Sequence, residues 1–169
     1  HMESLAVLEM HDNKYNQTGA NALMDLRIRN LVKKHLSGTE LNLNGKQLEN
    51  QGLKALGRSD LLAGVVTLSL RNNHFDYVGL EALSQSKNLS SLKSLNLMDN
   101  QILNKGAIVL AGAKVFSGLQ KLNLENCGIM PAGILALAKS ASLEQLREVT
   151  LNKNNIKDKG IQHLAASRN

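Results

Sequence analysis

Gly52, Gly79, Gly106, Gly133 and Gly160 fall on one 27-residue spacing, and that register excludes an ordinary globular fold. A fixed period of about 20–50 residues marks a solenoid, in which each unit buries its apolar face only against its neighbours. Four further columns keep the same step. They are Leu41, Leu68, Leu95, Leu122 and Val149; Leu43, Leu70, Leu97, Leu124 and Leu151; Leu48, Phe75, Ile102, Ile129 and Ile156; and Leu56, Leu83, Leu110, Leu137 and Leu164. A unit before these carries Leu5, Leu8, Met10, Asn13, Tyr15, Gly19 and Leu23 in matching positions. It runs 33 residues from Leu8 to Leu41, so its second half holds an insertion of six.

Aromatic residues make up 2% of the 169 and Trp is absent, so stacked leucines must fill the interior. Each contributes roughly 1.5–3 kcal/mol when buried. A single cysteine excludes an internal disulfide framework and fits a reducing, intracellular and cytoplasmic setting. No apolar run approaches the ~18 residues that a membrane span needs. His1-Met2 has the look of an expression scar, with residues 1–4 leading into the first unit.

Residues 92–118 show what one unit does. Leu92, Leu95 and Leu97 sit at strand spacing, with Ser94, Asn96 and Met98 on the opposite face. Asn100 ends the strand, and its amide can pair turn backbone groups that strand geometry leaves open. Ile102 turns inward, and Asn104 is positioned to cap the helix that follows. From Gly106 the run Ala107, Leu110, Ala111 and Lys114 reads as a helix with one apolar face. Phe116 shares a column with Leu62, Leu89 and Leu143, packing the return to the next strand. Each unit is strand, turn, helix, turn.

The pattern L-x-x-L-x-L-x-x-N/C-x-I/L resembles the leucine-rich repeat family. The Gly-Ala-rich helical half resembles its ribonuclease-inhibitor-like subfamily most. The resemblance implies an α/β fold: a curved solenoid with a parallel β-sheet on the concave face and helices on the convex face. It divides residues 5–169 into units 5–37, 38–64, 65–91, 92–118, 119–145 and 146–169. That subfamily includes enzyme inhibitors, a GTPase-activating protein for Ran, the sensing ends of NOD-like receptors and bacterial effectors, which would act in a host cytosol. It implies a concave surface that binds another protein, as a scaffold or as a regulator of a partner enzyme such as a GTPase.

Asn13, Lys46, Asn73, Asn100, Cys127 and Asn154 share one column. By the resemblance, Asn13, Asn73, Asn100, Cys127 and Asn154 form a structural ladder, a thiol standing in for the amide as a weak donor. Lys46 cannot accept a bond from a turn N–H and is costly to bury, so its turn is expected to open outward and leave it wet.

The family pattern also assigns the concave face. Its candidate partner-binding residues are Glu9, His11, Glu40, Asn42, Arg71, His74, Asn96, Met98, Lys121, Glu125 and Asn152. Arg71, His74 and Met98 are the preferred contacts. Across this face Glu9, Asp12, Glu40, Asp99, Glu125 and Glu148 outnumber Arg71, Lys121 and Lys153, although the chain is +6 overall. A basic partner surface is favoured, and the excess positive charge must lie on helices and turns. Tyr15, Phe75 and Phe116 fall in core columns and Tyr77 is peripheral, so the face lacks the aromatic anchors common at interfaces.

The inserted stretch of the first unit alternates Leu26, Ile28, Leu31 and Val32 with Arg27, Arg29, Lys33, Lys34 and His35. It reads as a helix lengthened by more than a turn, its cations complementing the C-terminal dipole and Gly38 ending it. Attachment to nucleic acid or an anionic membrane is disfavoured, because no stacking aromatic or recognisable module accompanies the charge. His11, His35, His74 and His163 belong to separate repeats, with no metal-ligand spacing, no activated nucleophile and no phosphate-cradling loop. The chain therefore reads as non-enzymatic, without cofactor, metal or small-molecule substrate. Neither end departs toward a polar cap, so the chain reads as a segment of a longer protein or one whose ends associate.

Overall fold

The computed structural model describes Lys14 and residues 16–167. Five three-residue strands lie parallel and in register: β2 (Glu40–Asn42), β3 (Thr67–Ser69), β4 (Ser94–Asn96), β5 (Lys121–Asn123) and β6 (Glu148–Thr150). Each pairs residue i with residue i+27 of its neighbour, so the sequence register is the sheet register. The ladder continues past the strands: Leu43, Leu70, Leu97 and Leu124 donate to carbonyls of the next repeat. Helices α1 (Gln17–His35), α2 (Glu49–Arg58), α3 (Tyr77–Ser84), α4 (Leu103–Gly112), α5 (Pro131–Ala138) and α6 (Lys157–Ala165) form the second layer. The strand–helix alternation is that of an α/β solenoid. Glu9, His11 and Asn13, with the strand expected around them, lie outside the described residues.

α1 is 19 residues long against 8–10 for the others, and Asn16 Oδ1 caps it by accepting from Gly19 N at 3.1 Å. Gly38 does not end it. The helix stops at His35, and Leu36–Ser37 forms a short strand, β1, paired antiparallel with β2. Gly38, at φ +58°, takes the first position of the two-residue hairpin turn between them.

The Leu, Ile and Phe columns meet in one core. Leu41, Leu68 and Leu95 are at most 1% exposed, and Phe75 and Phe116 are buried among them. The last repeat departs. Val149 holds the same column yet is 41% exposed, because no described strand follows β6.

The glycine column has two different causes, alternating along the chain. A Cβ on Gly52 or Gly106 would lie 2.8 or 2.5 Å from the Cβ of Leu48 or Ile102, the inward residue of the same repeat. A Cβ on Gly79 or Gly133 would instead strike the side-chain oxygen of Asn50 or Asn104, at 2.6 and 2.7 Å. Those amides belong to the preceding repeat. Asn104 thus caps α5, accepting from Met130 N and Gly133 N, and not its own helix; Asn50 does the same for Asp76 N and Gly79 N of the α3 N-terminus. The backbone follows the alternation: Glu49, Leu103 and Lys157 adopt φ of +53°, +58° and +52°, whereas Asp76 and Met130 are extended. The helices likewise begin at Glu49, Leu103 and Lys157 in one class and at Tyr77 and Pro131 in the other.

The Asn ladder is present in detail. Asn73 Nδ2 donates to the carbonyls of Leu43 and Leu70 (both 2.8 Å) while its Oδ1 accepts from Lys46 N and Leu48 N. Asn100 and Asn154 repeat the donor pattern to Leu70 and Leu97, and to Leu124 and Leu151. Cys127 Sγ reaches the Leu97 carbonyl at 3.2 Å, and burial pushes its thiol pKa up to about 12. Lys46 differs from the expectation. Its side chain is half-buried, and its turn is closed: Asn73 takes its N–H, and Arg27 of α1 donates to the carbonyls of Lys46 (2.7 Å) and Gln47.

Candidate functional site

The five strands bring the described concave-face candidates other than His74 together on one polar surface. Glu40 stands exposed at the start of β2. Asn42, Asn96 and Asn123 are engaged locally, each side-chain oxygen accepting the N–H two residues on, from Asn44, Met98 and Glu125. Their amides therefore shape the turn as well as facing outward. Met98 is half-buried, and Asn152 is exposed.

The charges of this face pair across repeats. Arg71 Nε donates to Asp99 Oδ2 at 2.9 Å, Lys121 meets Glu148 at 2.8 Å, and Lys153 meets Glu125 at 2.9 Å. Asp99 also accepts from Asn126 Nδ2 at 2.9 Å. That amide, with the Arg71 guanidinium, holds the Asp99 carboxyl below its ordinary pKa, against a smaller desolvation effect. The hydrogen bond from Lys153 to Glu125 raises the Lys153 pKa. All three bases of the face are thus paired with acids, and among its described acids only Glu40 lacks an ion-pair partner.

Beyond the strand ends an open groove of about 630 Å³ runs along the turn edge, lined by Asn72, His74, Asp76, Asp99, Gln101 and Asn126 among others. His74, at φ +58°, lies here and not on the strand face. Asp99 and Asn126 were absent from the candidate contacts, yet they organise this corner. A signal for them exists in the column Gly45, Asn72, Asp99, Asn126 and Lys153, all left-handed at φ +52° to +63°. Gly, Asn and Asp tolerate that conformation best.

Tyr77 is half-buried, with the Lys105 ammonium 4.6 Å from its ring centroid. Near it Val78, Leu103 and Met130 are 46%, 47% and 43% exposed. Among the described residues no group of three or more His, Cys, Asp and Glu could hold a metal ion, and no helix is long and apolar enough to cross a membrane.

A family model described as Leucine Rich repeat matches residues 65–84, 88–111, 119–138 and 145–165, together half the chain. No curated protein matches the sequence.

Proposed function

The chain belongs to the leucine-rich repeat family, and from that premise we propose that it is a non-catalytic scaffold whose concave strand face holds another protein. Repeats of this family generally mediate protein–protein interaction. The observation that carries the choice of face is the register: five strands present polar side chains in fixed rows, and inter-repeat ion pairs hold Arg71, Lys121 and Lys153 in place. A surface ordered before binding loses less entropy on association. Met98, half-buried at its centre, supplies adaptable apolar contact beside these ordered charges. The helix in every repeat supports the ribonuclease-inhibitor-like placement within the family.

The test is crosslinking capture from lysate of the source organism. The baits are the wild-type chain, a Met98→Glu/Lys121→Glu variant, and a Lys54→Glu variant on α2. A protein retained by the first and third baits and lost with the second is the expected result. Capture that ignores Met98 and Lys121 would move the partner off this face. A regulator of a partner enzyme would also change the turnover of the captured protein at stoichiometric amounts, whereas a scaffold leaves it unaltered.

A further inference from the structure

The concave face and the return edge treat charge in opposite ways. Because the strands β2–β6 are parallel, every segment from a helix C-terminus to the next strand lies on one edge of the array. Three consecutive returns, residues 85–93, 113–120 and 139–147, hold Lys87, Lys93, Lys114, Lys139 and Arg147 against the single acid Glu144. Five bases and one acid leave +4 there, out of +6 for the chain. The return before them, 59–66, carries only Asp60. All five cations are exposed, and among the described residues none has a carboxylate within ion-pair distance.

Arrangement matters more than number. On the concave face, residues of adjacent repeats alternate in sign and pair. Asp60, Lys87 and Lys114 occupy the same column in successive repeats, so two like charges stand side by side, and Asp60 forms no ion pair with Lys87. Such like-charge pairs are mildly destabilising. Cations complement helix C-termini, and Lys93 Nζ does lie beside Gly118, just past the short helical turn Lys114–Phe116. Arg147 immediately precedes β6, where capping explains it poorly.

We infer that this return edge is a second interaction surface, one that receives an acidic segment of a partner protein. Lysine heads on flexible stems suit a partner recognised by charge and not by a fixed fork geometry. A single-stranded nucleic acid would call for stacking aromatics, and Phe116, the aromatic of these returns, is fully buried. Peripheral membrane attachment uses apolar side chains beside the charge, and Leu89, Leu92, Leu119 and Leu143 of these returns are buried too. An acidic polypeptide needs neither. The inference goes beyond the concave-face reading and stands on different residues.

The experiment measures binding of a short fluorescent polyglutamate peptide, of phosphatidylserine vesicles and of duplex DNA, each at low and at physiological salt. Three chains are compared: wild type, Lys87→Glu/Lys114→Glu, and Lys157→Glu/Lys159→Glu, which makes the same change in net charge on α6. The expected result is peptide binding that weakens about tenfold or more with the edge variant and with added salt, while the α6 variant stays near wild type. A Lys87→Gln/Lys114→Gln variant with an unchanged melting curve guards against misfolding and should weaken binding by a smaller factor. Equal losses in both charge-matched variants would reduce the effect to net charge and overturn the inference. So would no peptide binding by the wild type, or tighter edge-dependent binding of vesicles or DNA than of peptide.

Discussion

Asn104 and Gly133 are fitted to one another across a repeat boundary: the Asn104 side-chain oxygen accepts the Gly133 N–H at 3.0 Å, where a Cβ would stand 2.7 Å away. The amide caps a helix it does not belong to, and the glycine is required by the amide as well as by Ile129. Asn50 and Gly79 form the same pair 54 residues earlier. From Leu41 onward the array is therefore built of two alternating repeat types, although the residue count of those repeats stays at 27.

Asn104→Ala should cost about 1 kcal/mol through the lost cap. Gly133→Ala should cost about 1–3 kcal/mol through crowding. Because one clash partner is the amide itself, the double variant should cost less than the sum by about 0.5 kcal/mol or more. Urea unfolding of the four chains gives the cycle, and strict additivity would sink the fitted-pair account.

Asn73→Ala removes both acceptor bonds to the Lys46–Leu48 turn and the donors to Leu43 and Leu70 in a fully buried setting. Unsatisfied buried groups put the loss at about 1–3 kcal/mol. Asn154→Ala should cost less, since Asn154 is only part-buried. A denaturation midpoint indifferent to Asn73→Ala would remove the ladder as a stabilising device.

The repeat register made most of this fold legible: β2 to β6, the Leu columns and the ladder fall where the period put them. What the period concealed are relations between repeats. Asn104 caps forward because α5 begins beside it, a fact that a single unit cannot contain. The hairpin at Gly38 was hidden because α1 runs directly into a strand too brief to show alternation. On the strand face, Arg71, Lys121 and Glu125 are among the candidates named from the sequence, and each forms an inter-repeat ion pair. Their partners Asp99, Glu148 and Lys153 were visible as charges and not as pairs, since pairing needs the 27-residue neighbour and the rotamer together. His74 was misplaced because its left-handed backbone turns it to the groove.

Cys127 should be inert in the folded protein. Its thiol is fully buried, and burial lifts its pKa from 9.0 to about 12, so at pH 8 there is almost no thiolate to react. Labelling by an aromatic disulfide should proceed only as fast as the chain unfolds, and should accelerate in urea. The linkage has a definite sign. The folded pKa lies above the unfolded one, so this contribution to stability is complete below about pH 9 and is lost as pH rises toward about 12. Fast stoichiometric labelling in native buffer would contradict the burial.

Leu95 and Val149 occupy the same column, and sequence periodicity treats them as equivalent. The structure separates them: Leu95 is 1% exposed with β3 and β5 on either side of its strand, whereas Val149 is 41% exposed on β6. Leu95→Ala removes buried methyl groups and leaves a cavity, for a cost of about 2–5 kcal/mol. Val149→Ala trims a side chain already in water, and about 0.5 kcal/mol is expected. Urea midpoints with unchanged slopes make the comparison. If Val149→Ala proved as costly as the core change, the β6 face would be covered in solution. That cost would then rise with protein concentration if a second copy were the cover, because only an associating chain makes stability depend on concentration.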